Sequence, residues 1–231
     1  MKDLLEKLIG LIPAYFDDLL PLVTGPKHFI AGRLSSDESP MHKALVFLAV
    51  SFLISGVLTI PLSRGDPLLE LGVDGVFVLI CVMSYGGILY LAWRIAGGRA
   101  EIQIFLTIHF YYAGILKLLE ASLYLCTMGT IRATDPALYK EIYDAAYGGN
   151  AAAFFINNSE RLLANPGYQL SLWVQAVGYG AILIWIFVGW GAYREINRLS
   201  RVRSTMAGLL FFVFCFPVAA FVFLIANALV K

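Results

Sequence analysis

The stretch HFYYAGILKLLEASLYL, His109 to Leu125, decides how this chain is read. It is apolar enough to sit in lipid, yet it carries Lys117 near its middle and Glu120 almost one turn later. A lone charge at that depth costs about 3 kcal/mol on insertion scales, so the two must be placed. On a helix advancing about 100° per residue, with His109 at zero, Tyr112 falls at about −60°, Glu120 at about 20°, Tyr124 at about 60° and Lys117 at about 80°. The polar groups share one face of about 140°, and Ile108, Ile115 and Leu118 lie outside it. Lys117 and Glu120 are three residues apart, a spacing that lets them partner, and the pair is expected to face the interior of a bundle.

Three readings of that face stay open: an ion pair that fixes packing and registry, a site for an ion, proton or polar ligand, or side chains snorkelling toward a displaced interface. His109 reads as an interior hydrogen-bonding residue. As a metal ligand it lacks companions, because His28 and His42 belong to the N-terminal segment. No metal or cofactor is expected.

Composition explains why lipid is the solvent considered. The chain is 59% hydrophobic and 14% charged, with a mean hydropathy of +0.76, whereas soluble domains carry about a quarter charged residues. Its formal net charge of +1 excludes a nucleic-acid binder working through bulk positive charge. Cys81, Cys126 and Cys215 lie far apart in or beside apolar runs, which fits small apolar side chains better than disulfides or zinc.

Working outward, five apolar runs appear at about 44–62, 72–93, 103–127, 170–192 and 206–229, each at least 19 residues long. About 20 residues at 1.5 Å per residue cross a hydrocarbon layer of about 30 Å. The expected fold is an all-α polytopic membrane bundle of five transmembrane helices, spanning 41–231. Before it, residues 1–40 form a cytoplasmic segment: an amphipathic interfacial helix over 1 to about 23, broken near Pro13 and ended by Pro21, then a turn-rich linker. The same helix would serve equally as a cover packed on the bundle. Lys2, Asp3, Glu6 and Lys7 interrupt its start, so no cleavable signal peptide is expected.

Between the third and fourth runs, about 129–168 forms the long hydrophilic excursion. Asp135 before Pro136 predicts a capped helix stopped by Gly148 and Gly149, followed by a second amphipathic piece over 151–164. Both are expected to fold over the outer ends of the spans. Of the 17 Lys and Arg, eleven fall on the N-terminal side and five on the other, Lys117 being inside a span. That bias predicts a cytoplasmic N-terminus and an extracytoplasmic C-terminus. Gly86, Gly87, Gly178, Gly180, Gly189 and Gly191 permit close helix contacts, and Pro217 predicts a kink in the last span.

No nucleophile elbow, HExxH or phosphate-cradling motif occurs, so the chain is read as non-enzymatic. A lipid-modifying enzyme would need acids and a base gathered at one membrane face, and only Asp74, Glu101 and the acids of the third loop are available.

The run LLPLVTGPKHFIAGR (19–33), the connection LAWRIAGGRAEIQIFLTIHFYYAG (91–114) and the basic link YREINRLSRVRSTMAG (193–208) resemble the bacterial branch of the Yip1 domain family of five-span membrane proteins. The resemblance extends from about Leu19 to the end. Its loop pattern, a basic residue and paired glycines after the second span, corresponds here to Arg94, Gly97, Gly98 and Arg99. It implies a five-span fold and leaves the role of bacterial members undefined. Five spans, no catalytic constellation and two candidate docking surfaces, the N-terminal amphipathic stretch and the basic link, lead us to expect a bacterial inner-membrane protein that organises membrane components or binds a membrane-protein partner or a second copy of itself. The DLYGP-type motif of the eukaryotic relatives is missing, so their Rab binding is not carried over. The alternative function is a small transporter or lipid-handling protein, with membrane lipids as partners and His109, Tyr112, Lys117, Glu120 and Tyr124 lining its site.

Overall fold

Apolar helices in lipid gain little from hiding apolar surface, so they associate where small residues let backbones approach and where polar groups find partners. Both devices organise this chain. The computed structural model describes residues 2–36, 39–62 and 67–229; the side chains of 2–9, 11–12, 36, 67–68, 70, 147 and 218–229 lie outside that description. The described residues are helical, with no strand. They form α1 (Lys2–Thr24), α2 (Pro26–Ser36), α3 (Pro40–Thr59, closed by a 3-10 turn Ile60–Leu62), α4 (Pro67–Ile95) and α5 (Ile102–Thr134). There follow α6 (Pro136–Tyr147), α7 (Ala151–Asn157), α8 (Ser159–Ala164), α9 (Pro166–Ile196) and α10 (Arg201–Leu229).

Among the described residues, four segments are long and apolar enough to cross a membrane: Pro40–Leu62, Leu71–Ile95, Ile102–Thr134 and Pro166–Ile196. The fifth expected span, 206–229, falls on α10, and its side chains after Pro217 lie outside the described residues.

Helix α5 is the hub. It packs on α3 and α9 most extensively and also on α4, while α10 packs on α4. Glycines set these contacts. A side chain at Gly114 would meet Phe47 and Ser51 of α3. One at Gly189 of α9 would strike the Tyr112 ring, and one at Gly86 of α4 would strike His109. Large side chains of α5 therefore sit in notches of its neighbours. At one end Trp93, Phe105, Trp190 and Tyr193 cluster, with Trp93 and Trp190 centroids 5.0 Å apart.

The N-terminal segment departs from expectation in two respects. Helix α1 runs unbroken through Pro13 and Pro21, and the expected linker contains a second helix, Pro26–Ser36. Gly25 alone separates them, and Pro26 suits a first helical position, where no amide hydrogen is needed. The described half of this pair is a cover: Tyr15, Leu22 and Ile30 are buried in the main core. Tyr15 stacks on Phe47 at 4.7 Å and shares a 3.0 Å hydrogen bond with Ser51. Asp18, also buried, pairs with Arg33 and accepts a 3.5 Å hydrogen bond from the Tyr111 hydroxyl. Across the face, the Trp185 indole donates to the Val23 carbonyl at 3.2 Å.

Helices α6, α7 and α8 fold over the opposite end of the bundle. Leu138, Ile142 and Leu162 join Leu62, Met128 and Ile131 in a second, smaller core. Asp135 holds this cap in place, accepting from the Leu138 amide at 2.9 Å and from the Asn165 side chain at 2.7 Å. Asn165 in turn caps α9 through the Tyr168 amide. The Leu138 amide first, then Asn165, hold the Asp135 carboxyl below the usual carboxylate range. A depressed value means that the cap contributes above the ordinary carboxylate pKa of about 3.9 and is lost as pH falls through the lower folded value. Limited proteolysis of the α6–α8 region should accelerate below about pH 4 in the parent, and Asp135→Ala should show the faster cleavage at neutral pH.

Candidate functional site

The polar face of α5 is divided among three neighbours. His109 Nε2 donates to the Val82 carbonyl of α4 at 2.9 Å, with the ring lying over Gly86. Tyr112 donates its hydroxyl proton to the Gly189 carbonyl of α9 at 2.9 Å. These two residues lock helix pairs and are not brought together with the rest.

Lys117, Glu120 and Tyr124 are. They line one wall of a crevice of about 330 Å³ formed by α3, α4, α5 and α9. The Lys117 ammonium lies 3.1 Å from the Glu120 carboxylate, with 29% of the lysine and 63% of the glutamate side chain exposed. The pair thus edges an opening, whereas the sequence placed it inside the bundle.

The other walls carry groups that spacing within one helix could not gather. Helix α3 supplies Ser55 and Thr59, α4 supplies Asp74, and α9 supplies Gln175 and Tyr179. Glycines again shape the space: Gly56 admits Leu71, and Gly178 admits Leu123. Ala121, the small buried residue between Lys117 and Tyr124 on α5, contributes little bulk to the wall. Ser55 lies seven residues before Leu62, and Leu62 shares the capped core with Met128. At 1.5 Å per residue, the polar layer sits about 10 Å inward from that capped end.

The hydrogen bonding around the crevice is uneven. Ser55 donates back to the Ser51 carbonyl at 2.8 Å, and Thr59 donates to the Ser55 and Gly56 carbonyls of its own helix. The Thr127 hydroxyl, on a residue only 4% exposed, has no partner. Among the described residues Asp74 makes no hydrogen bond or ion pair. With Lys117 matched to Glu120, one carboxylate is in excess among the described residues that line the crevice. Among the described residues no group of three His, Cys, Asp or Glu side chains could hold a metal ion.

Sequence reasoning named Asp74 only as a stray acid and passed over Gln175 and Thr127. Their signal was a polar residue inside an apolar run, and all three line the crevice once the helices are stacked.

The connection Arg94, Gly97, Gly98 and Arg99 is a packing device. Gly97 has φ +97°, a conformation that favours glycine, and the Gly98 amide returns to the Trp93 carbonyl at 2.8 Å. Arg94 donates to the Gly98 carbonyl at 3.1 Å, while Arg99 is exposed. Opposite lies Asn197, 1% exposed, whose side-chain oxygen accepts from the Ala100 amide at 3.3 Å and whose amide group donates to the Tyr193 carbonyl at 2.9 Å. The α4–α5 and α9–α10 turns are thereby joined.

Comparison with protein families, with curated proteins and with solved structures finds no match to this chain. The Yip1 resemblance therefore stays an expectation from sequence.

A methyl group at Gly98 would lie 2.8 Å from the Trp93 carbonyl oxygen and would also overlap the Asn197 side chain. Gly98→Ala should cost about 1–3 kcal/mol through overpacking and lower the thermal midpoint in detergent. Gly87→Ala, with nothing within 4 Å, should remain within about 0.5 kcal/mol of the parent.

Proposed function

We propose that this chain is a non-enzymatic integral membrane protein whose working site is the crevice, and that it acts as a small transporter or lipid-handling protein. The observation that supports this reading is the polar cavity reaching Lys117 and Glu120 between four helices. Charges in a membrane-crossing layer are costly unless paired, hydrated or matched by a ligand. A cavity of a few hundred cubic ångströms with a few polar groups in apolar walls also has the character of a small-molecule site.

On the same reading the chain crosses a bacterial inner membrane five times, with α10 as the last span. The N-terminus lies in the cytoplasm, and the crevice lies in the outer half of the bilayer. Cysteines introduced at the two chain ends should then be labelled by an impermeant reagent from opposite sides. Labelling of both from one side would reject the five-span count.

The membrane-organising reading has one favourable observation, the exposed basic connection carrying Arg198, Arg201 and Arg203. Its other candidate docking surface is partly consumed, because Tyr15, Leu22 and Ile30 pack into the bundle.

In proteoliposomes, Lys117→Ala should slow movement of the crevice ligand by about tenfold or more, the equivalent of about 1.4 kcal/mol. Flux and lipid-exchange rates identical to the parent across ions and lipids would count against the crevice as the working site.

A further inference from the structure

We propose that the crevice receives an organic ammonium group, with the Asp74 carboxylate as its counter-charge. This deepens the preceding reading and rests on the crevice being a ligand site.

Charge balance gives the sign of the ligand. Lys117 and Glu120 neutralise each other at 3.1 Å, which leaves Asp74 without a cationic partner among the described residues. Asp74 is exposed and lines the crevice, and a carboxylate in a membrane-crossing segment is costly unless it is paired or hydrated. An anionic ligand would add to the excess, whereas one positive charge removes it.

The walls give its chemical class. Phe52, Tyr124 and Tyr179 offer aromatic faces, and Leu71 and Leu123 supply apolar surface. Aromatic faces attract ammonium groups through the ring quadrupole, the more so where water is scarce. A bare metal ion would need several ligand atoms at about 2.0–2.6 Å, and a cavity of about 330 Å³ is far larger than such an ion. The unpartnered Thr127 hydroxyl, buried on the same wall, adds a second vacant acceptor. A primary ammonium has three N–H donors, which suits a site with two acceptors to spare. The group arrives either on the headgroup of an aminophospholipid or on a small free amine.

The test uses the full chain. In detergent, hexylammonium should raise the thermal midpoint at concentrations where hexanol leaves it unchanged. Asp74→Asn should weaken that response at least tenfold, and Thr127→Val by a smaller factor. Glu120→Gln provides a second variant in case Asp74→Asn does not fold. It releases Lys117 and makes the crevice formally neutral, so it should also weaken the response about tenfold. Native mass spectrometry of protein released from nanodiscs identifies the source. Selective retention of phosphatidylethanolamine over phosphatidylglycerol, lost in Asp74→Asn, assigns the ammonium to a lipid; protection by ethanolamine and hexylammonium without lipid retention assigns it to a free amine.

Equal protection by hexanol, or selective retention of phosphatidylglycerol that Lys117→Met abolishes, overturns the ammonium assignment while leaving the crevice a binding site. If no probe protects and no lipid is retained by the folded parent, both readings fall.

Discussion

Buried polar groups on α5 need partners, because this helix is enclosed on more sides than any other, and among the described residues only its Thr127 hydroxyl lacks one. The rest of the architecture follows from how each group is answered. Thr107 turns back to its own Gln103 carbonyl, His109 reaches α4, and Tyr112 reaches α9. Tyr111 reaches the N-terminal cover through Asp18. Lys117 and Glu120 answer each other, and around them the four helices stand far enough apart to leave the crevice. Glycines on α4, α5 and α9 make the tight contacts that remain, so shape complementarity and hydrogen bonding share the task that hydrophobic burial performs in water.

The division of the α5 face also separates structure from function within one helix. From Phe105 its first half is committed to packing, with Phe105, Ile108, Tyr111 and Ile115 buried. From Lys117 onward it borders space. Two helix-locking polar residues and three crevice residues thus share one broad sector of the helix and differ in height as well as in angle, and height is a coordinate that a helical projection discards.

That projection explains what was legible. Long apolar runs reported the four candidate spans because length and composition are local properties. Asp135 and Pro136 reported the start of α6 because a cap is made within one turn. The spacing of Lys117 and Glu120 reported their ion pair for the same reason. Helix α2 was not legible, since Gly32, Ser35 and Ser36 weaken its propensity and its helicity depends on docking Phe29 and Ile30 against distant residues. Prolines at 13 and 21 suggested breaks that the packed α1 does not make. Asp74, Gln175 and Thr127 could be assigned to the crevice only after three helices had been set side by side. Asn197 was overlooked because a single asparagine in a basic connection gives no hint that its partner lies 97 residues away.

That last separation bears on how the protein is made. The α4–α5 turn leaves the ribosome 97 residues before Asn197 does, so the Ala100 amide cannot take this partner until residue 197 has been made. Synthesis order therefore makes the clasp a late contact in assembly, and a chain stalled before residue 197 would lack it.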